Sequence, residues 1–349
     1  MSSTQLRTST SFGPSRRGTS RVGTIVAGSA AAVLLVSTLL SATPWPSAML
    51  IRSVFEAGAR ATVKEMTPFV PTSGIAEKLD IPVTVPSGQT AFDVYSPSNA
   101  TKALPTIVWV HGGAWISGSK TNVAPYLKIL ASHGYTTIGL SYPIAPEKTY
   151  PAAVTDLNDT VKYITDNADE LGVDPTQIIL AGDSAGAQLA SQLAVLTTNP
   201  AYAHLLGITP SLSADQLIGT LLHCGVYDLD AMAELNGIEA WGLKIALWAY
   251  TGTKEWSDTY AGATMSTVDF VTEDFPETFI SGGNGDALTW IQSVPMSTTL
   301  KNAGVNVTEL FWPASHEPAL PHEYQFHMDF AEAHTALDDT VTWLDGLTH

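Results

Sequence analysis

One serine stands in a pattern that can make its hydroxyl a nucleophile. The apolar residues 177–181 lead into the motif Gly182–Gly186, which reads Gly-Asp-Ser-Ala-Gly, and a stretch of helical composition follows. A serine at a strand-to-helix turn takes a strained backbone conformation, and small residues two positions before and after it let both elements pack closely. The amides of the helix N-terminus favour negative charge there. The pattern therefore predicts Ser184 as a nucleophile.

A second glycine-rich segment lies upstream of that serine. The apolar residues 106–110 lead into His111–Trp115, which reads His-Gly-Gly-Ala-Trp. Backbone N–H groups in such a loop can stabilise the oxyanion that forms during acyl transfer. Because the loop and the serine both follow strand-like stretches, the sequence predicts two parts of one acyl-transfer site.

An activated serine also needs a base, and the base needs an acid that fixes its tautomer. The predicted strand 277–281 is followed by Gly-Gly-Asn-Gly-Asp, which makes Asp286 the candidate acid, with a turn or cap role as the alternative. The next predicted strand, 305–311, precedes two histidines, His316 and His322. We favour His322 as the base because a helical pattern follows it directly. His316 lies in a Pro-rich loop and remains the alternative.

The elements that must position these residues alternate between strand and helix. Such alternation predicts a mostly parallel sheet with helices on both faces. Sites in these sheets lie beyond the carboxyl ends of the strands, where all the candidate residues fall. The predicted strands are 81–85, 91–95, 106–110, 135–141, 177–181, 217–224, 277–281 and 305–311, and the predicted helices include 122–133, 153–170, 185–197, 290–303 and 325–347.

A helical insertion, residues 228–272, interrupts the alternation. It holds five aromatic residues, Trp241, Trp248, Tyr250, Trp256 and Tyr260. We interpret the insertion as a cap over the active-site pocket, and ordinary helix packing is the alternative. The catalytic domain is predicted to cover residues 81–349, and a helical linker or cap segment, 43–80, precedes it.

The N-terminal residues differ from the rest in composition. Residues 1–21 are rich in Ser, Thr and Arg and are predicted to be disordered, whereas residues 22–42 carry no charge over a length that can span a bilayer. Since Leu40 stands where a signal-peptidase site needs a small residue, we favour an uncleaved anchor over a cleaved signal. The catalytic domain is then expected outside the cytoplasm, membrane-anchored or, if cleaved, secreted.

A further helix is predicted over residues 49–64. Its apolar residues recur at helical spacing, as Leu50, Val54, Ala57 and Ala61. Such a helix could lie on the membrane or cover the catalytic domain, and the sequence leaves both alternatives open.

The body of the chain is strongly acidic. Residues 43–349 hold 12 basic and 33 acidic residues, a net charge near −21. This charge repels polyanions, so nucleic acid is not expected as a partner. The single cysteine, Cys224, cannot form an internal disulfide and is interpreted as a buried apolar residue. The spacing of His, Cys and carboxylates predicts no metal site, and no cofactor is implied.

These segments together resemble the α/β-hydrolase superfamily and, within it, the hormone-sensitive-lipase-like esterases and acetyl esterases. The resemblance covers roughly residues 80–345. It rests on the loop His111–Trp115, the segment 142–156 with Tyr-Pro-Ile-Ala-Pro-Glu at its start, the motif Gly182–Gly186, and the late Asp286 and His322.

The resemblance implies a role for each candidate. Ser184 would be the nucleophile, His322 the base and Asp286 the acid that orients it. The family loop usually has a third glycine where this chain has Ala114, whose Cβ would narrow the oxyanion hole. The residues implied to form that hole are Gly112, Gly113, Ala114 and Ala185.

The predicted function is hydrolysis of a small-molecule carboxylic ester through an acyl-enzyme. Short acyl chains are what the resemblance implies. The same triad could serve an amidase, a small peptidase or an acyltransferase, and the residues do not separate these alternatives. A non-catalytic ligand-binding hydrolase fold is a further alternative, which the complete Ser, His and Asp set disfavours.

Overall fold

The computed structural model describes residues 41–348. The chain divides into two units, Met1–Thr43 and Pro44–His349, and every element named below lies in the second. The predicted disorder over 1–21 and most of the predicted membrane segment 22–42 lie outside the described residues. Within residues 41–348, no helix is both long and apolar enough to cross a membrane.

Eight strands of residues 41–348 form a single sheet. They are β1 (Ile75–Val85), β2 (Gly88–Pro97), β3 (Leu104–Val110), β4 (Thr136–Leu140), β5 (Val173–Asp183), β6 (Leu217–His223), β7 (Glu277–Gly282) and β8 (Val307–Phe311). Their order in the sheet is β1-β2-β4-β3-β5-β6-β7-β8. The hairpin β1–β2 and the pair β2–β4 are antiparallel, and all the other pairs are parallel.

Eleven α-helices of the described residues surround or precede this sheet. They are α1 (Trp45–Met66), α2 (Lys120–Ser132), α3 (Ala152–Asp166), α4 (Ala168–Leu171), α5 (Ala185–Thr198), α6 (Pro200–Leu206), α7 (Leu229–Ala233), α8 (Ile238–Thr251), α9 (Tyr260–Met265), α10 (Val294–Asn302) and α11 (Ala331–Thr348). The predicted helix 153–170 is divided at Asn167, whose backbone leaves the helical region. The predicted helix 325–347 begins only at Ala331, because a 3₁₀ turn, Tyr324–Phe326, precedes it.

Alternate residues of the central strands enter two separate hydrophobic clusters. Val108 and Leu180 pack in one cluster with α3 and α5, while Ile107 and Ile179 pack in the other with α2 and α11. Side chains alternate between the two faces of a strand, so both faces of the sheet are covered by helices. This arrangement confirms the predicted α/β fold with a mostly parallel sheet.

The sheet order brings the candidate residues to one edge. β3 and β5 are neighbours, and Val110 pairs with Gly182, so the glycine-rich loop and the serine motif leave the sheet side by side. β7 and β8 run parallel to β5 on its other side, and the two late segments leave the same edge of the sheet. The insertion 228–272 contains α7, α8 and α9, which confirms that it is helical.

Candidate active site

Ser184 lies in the turn between β5 and α5. Its backbone has φ 52° and ψ −120°, a conformation that non-glycine residues rarely adopt. A Cβ on Gly186 would collide with the carbonyl oxygen of Val110, and a Cβ on Gly182 would collide with the backbone of Gly186. Both glycines are therefore required for β3, β5 and α5 to approach this closely. The strained backbone of Ser184 and the close packing of the strand and the helix are both as the sequence pattern predicted.

The side chains of Ser184, His322 and Asp286 form one chain of hydrogen bonds. His322 Nε2 lies 2.9 Å from Ser184 Oγ, and His322 Nδ1 lies 2.7 Å from Asp286 Oδ2. The Asp286 side chain is 6% exposed, whereas that of His322 is 36% exposed, so the imidazole is open to an approaching molecule on one side. This geometry lets the imidazole take a proton from the serine while the carboxylate holds its tautomer.

The loops that carry Asp286 and His322 are joined by Asn284. Its Oδ1 accepts a hydrogen bond from the Leu320 amide at 2.9 Å, and its Nδ2 donates to the His316 carbonyl at 2.9 Å. Asp286 Oδ1 accepts from the Leu288 amide at 2.9 Å. Sequence reasoning missed the role of Asn284, since its place in Gly-Gly-Asn-Gly-Asp indicates only a turn.

His316 points to a different partner. Its Nε2 lies 2.7 Å from Glu332 Oε1, and its ring packs against Trp312 with a centroid distance of 4.5 Å. The structure thus places His322 at Ser184, while His316 contacts the start of α11.

The charges around His322 favour its protonated form. Burial alone would lower its pKa, but the neighbouring Asp286 carboxylate, and more weakly Glu323 and Asp183, raise the pKa of His322 to about 9. An imidazolium formed when His322 takes the serine proton is stabilised by the same charges.

The oxyanion loop differs from its prediction at one residue. The Gly112 N–H donates to Asp183 Oδ2 at 2.7 Å, so this amide is engaged and not available to an oxyanion. Gly113 and Ala114 have φ values of 109° and 51°, which bend the loop sharply after Gly112. No residue within 41–348 accepts a hydrogen bond from the amides of Gly113, Ala114 or Ala185. These three amides are the ones that can bind an oxyanion.

The Asp183 side chain holds the oxyanion loop in place through hydrogen bonds to Gly112 and Trp109. Its Oδ1 accepts from the Trp109 indole N–H at 2.7 Å, and the side chain is fully buried. Burial, and next the charge of Glu323, hold the pKa of Asp183 well above its usual range. The Glu323 carboxyl group lies close to Asp183, and its charge disfavours the ionised form of Asp183.

Glu323 is a second site residue, after Asn284, whose role the sequence did not predict. Its Oε1 lies 3.7 Å from His322 Nε2, and its backbone has φ 58°. The Glu323 N–H donates to Cys224 Sγ at 3.4 Å. A glutamate next to a histidine matches no motif, so only the fold reveals that its carboxyl group reaches Asp183.

One group of possible metal ligands lies in the described chain at this site. Donor atoms of Cys224, Asp286 and His322 lie within 4.8 Å of one another. Asp286 and His322 already bond to each other, and burial raises the pKa of the Cys224 thiol, which disfavours the thiolate that a metal would need. The donor set therefore fits nucleophilic catalysis better than metal binding.

The helical insertion packs against the oxyanion loop. Trp115 stacks on Tyr250 of α8 with a centroid distance of 5.5 Å, and its indole N–H donates to Gln188 at 3.1 Å. Trp248, Tyr250 and Trp256 are buried, whereas Trp241 and Tyr260 are about half exposed. The buried aromatic residues of the insertion thus pack in the protein interior, and Tyr250 does so beside the predicted oxyanion hole.

Comparison with known proteins gives a family match and several curated relatives, among them two esterases. The BD-FAE family model matches residues 92–300. Carboxylesterase NlhH of Mycobacterium tuberculosis is 34% identical over 126 residues, which are 36% of this chain and 37% of the relative. An acetyl esterase of Salmonella typhi is 35% identical over 109 residues, or 31% of this chain and 33% of the relative. The chain thus matches only about a third of the length of these relatives.

Solved structures match most of the chain at low identity. Esterase B from Lactobacillus rhamnosis aligns with a TM-score of 0.74 at 22% identity, covering 87% of this chain and 96% of that chain. The carboxylesterase EstE1 from a metagenomic library aligns with a TM-score of 0.70 at 21% identity, covering 89% and 99%. At these identities the likeness establishes the fold.

Proposed function

Since this chain belongs to the BD-FAE family and has the α/β-hydrolase fold, we propose that it is a serine hydrolase that cleaves carboxylic esters. The observation that carries the proposal is the hydrogen-bonded series Ser184, His322 and Asp286 at the carboxyl edge of the sheet. The names of the matched relatives, a carboxylesterase and an acetyl esterase, support the same bond type.

The mechanism follows from the atoms that these residues present. Ser184 Oγ attacks the ester carbonyl carbon while His322 Nε2 takes its proton, and Asp286 stabilises the resulting imidazolium. The tetrahedral oxyanion accepts hydrogen bonds from backbone amides of the oxyanion hole. Collapse expels the alcohol, which receives the proton from His322. The imidazole then removes a proton from water, which attacks the acyl-enzyme; His322 returns that proton to Ser184 Oγ as the acid leaves, which regenerates the free serine.

The three amides of the proposed oxyanion hole are those of Gly113, Ala114 and Ala185. Ala185 is the first residue of α5, so its N–H points along the helix axis and adds the favourable potential of a helix N-terminus. The Gly112 amide does not belong to the proposed oxyanion hole, because it donates to Asp183 and so holds the loop in place.

Short acyl chains are the proposed substrates. The acetyl-esterase relative supports this choice. The stacked pair Trp115 and Tyr250 fills space beside the oxyanion loop with rigid aromatic rings. A substrate with a long chain would have to pass around this pair.

The test is hydrolysis of p-nitrophenyl esters from acetate to palmitate by the full chain. Ser184→Ala and His322→Ala are expected to lose at least about a thousandfold in kcat. His316→Ala, the matched control, should keep its activity, because its ring bonds to Glu332. An optimum at acetate or butyrate would support short acyl substrates, and an optimum at palmitate would contradict them.

A fluorophosphonate probe separates the alternatives. It should label the wild type and leave Ser184→Ala unlabelled. A folded wild type that is labelled but cleaves no ester would favour an amidase or acyltransferase with the same triad. A wild type that is neither labelled nor active would overturn the proposed mechanism.

The proposed location is the outer side of a membrane, with residues 22–42 as the anchor. The uncharged length of that segment and the arginines before it support this orientation. Protease digestion of intact cells is the test. Loss of the folded domain without cell lysis would support the proposal, and full protection would contradict it.

A further inference from the structure

Helix α1 presents its apolar stripe to the outside of the protein. The stripe consists of Leu50, Val54, Ala57 and Ala61, and we refer to these residues as the α1 stripe. Leu50 is 62% exposed and Val54 is 61% exposed, and both alanines are exposed as well. The buried residues of the helix lie on its other side, at Ser47, Ala48, Ile51 and Met66. A helix packed on a soluble protein normally turns its apolar stripe to the core.

The orientation of α1 is held by Arg52. Its Nε donates to the Ile116 carbonyl at 2.5 Å and its Nη2 donates to the Ala145 carbonyl at 2.7 Å. Both terminal nitrogens also bind the Glu147 carboxylate, at 2.7 and 2.6 Å. Turning the α1 stripe inward would break these four hydrogen bonds and expose Ile51. The outward stripe is therefore a fixed feature of the fold.

Other exposed apolar side chains lie on the same helix and on the helix that packs against it. Helix α1 contacts α8, which carries Ile238 at 79% and Trp241 at 44% exposure. Trp45 and Phe55 of α1 are 45% and 38% exposed. Among residues 41–348, six of the twelve exposed large hydrophobic residues thus belong to these two helices. Apolar exposure concentrated in this way indicates a surface that something covers.

We propose that the α1 stripe lies on the surface of a lipid bilayer. The chain itself indicates this occupant: the uncharged residues 22–42 end at Ala42, and the stretch from Ala42 to Trp45 can reach at most about 10 Å. A bilayer crossing that ends at residue 42 would therefore leave Trp45, at the start of α1, in the headgroup region. Apolar helix faces and tryptophans bind in that region.

The contact is apolar rather than ionic. The chain has a net charge of −17, so anionic headgroups would repel its body, and phosphatidylcholine, a zwitterion without net charge, is a sufficient partner. Because Ile116 follows the oxyanion loop directly and accepts the Arg52 hydrogen bond, a docked α1 holds that loop close to the bilayer surface. The inference rests on the proposed anchor and is independent of the ester chemistry.

The test is fluorescence of a labelled full-length chain in phosphatidylcholine vesicles. The only native cysteine is buried, so Val54→Cys can be labelled selectively with a polarity-sensitive dye. Ala214→Cys, an exposed position just before β6, is the matched control. A lipid with a spin label near its headgroup should quench the dye at position 54 at least about twofold more than at position 214. Hydrolysis of p-nitrophenyl acetate by the same samples reports whether the fold is intact.

Each outcome decides the proposal. Strong quenching at position 54 and weak quenching at position 214 supports it. Equal quenching in a chain that floats with the vesicles overturns it and leaves the anchor standing. A chain that does not float overturns both the anchor and the docking of α1. Loss of ester hydrolysis in the unlabelled wild type would instead contradict only the proposed function.

Discussion

The protonation of His322 sets the pH range in which Ser184 can be activated. Burial would lower the pKa of His322, but Asp286, with Glu323 and Asp183, raises it to about 9, and only the neutral imidazole can accept the serine proton. We expect kcat/KM for p-nitrophenyl acetate to rise as pH increases through about 9 and then to level off. Stopped-flow or initial-rate measurements from about pH 6 to about pH 10 check this. A flat profile over that range would contradict the assigned base.

Glu323 is expected to tune that profile. Its carboxyl group lies 3.7 Å from His322 Nε2 and contributes to the raised pKa of His322. Glu323→Gln keeps the size of the side chain and removes its charge, so the rise in kcat/KM should move to lower pH. Glu317→Gln, an exposed glutamate of the same loop, is the control and should leave the profile in place. Superimposable profiles for Glu323→Gln and the wild type would show that Glu323 has no electrostatic role.

At the scale of elements, the contact of α5 with β3 depends on Gly186. A Cβ at this position would collide with the Val110 carbonyl oxygen, so Gly186→Ala must push the helix away from the sheet. We expect a loss of about 1–3 kcal/mol in the free energy of unfolding. Urea denaturation measures it. Gly346→Ala in α11 is the control, because a Cβ there meets no atom within 4 Å and alanine favours the helix.

Helix α1 is expected to depend on Arg52. Arg52→Ala removes hydrogen bonds to two backbone carbonyls and to Glu147, which we expect to cost about 2 kcal/mol of stability. The rate of ester hydrolysis should fall too, since Ile116 follows the oxyanion loop. Thermal unfolding and kcat measure the two effects. Arg60→Ala, an exposed arginine of the same helix, should change neither by more than a small amount.

At the scale of the whole molecule, net charge should select among substrates. A chain of net charge −17 attracts cations and repels anions over a Debye length of about 8 Å at physiological salt. We expect a cationic acetyl ester to have a higher kcat/KM than an anionic one of similar size. Raising the salt concentration should reduce that difference. An ester preference that does not depend on salt would place the selectivity in the pocket walls instead.

Local patterns in the sequence were sufficient to predict the element types and most of the candidate site. Apolar stretches of strand length predicted every strand of the sheet, because apolar composition and periodicity are local properties of the chain. Ser184, Asp286 and His322 lie in the segments that follow three of those strands. Parallel strands meet at one edge of a sheet, so the order of these three residues along the chain already predicted that they lie together.

The contacts between distant residues, in contrast, follow from the tertiary fold. Gly112 and Asp183 lie 71 positions apart, and their hydrogen bond removes an amide that the loop pattern had offered to the oxyanion hole. Glu323 reaches Asp183 without belonging to any motif. The periodicity of α1 predicted a helix, but its stripe faces outward because Arg52 holds the opposite side to the catalytic domain. Periodicity depends on neighbouring residues, whereas the partner of a side chain or a helix face depends on residues far away in the chain.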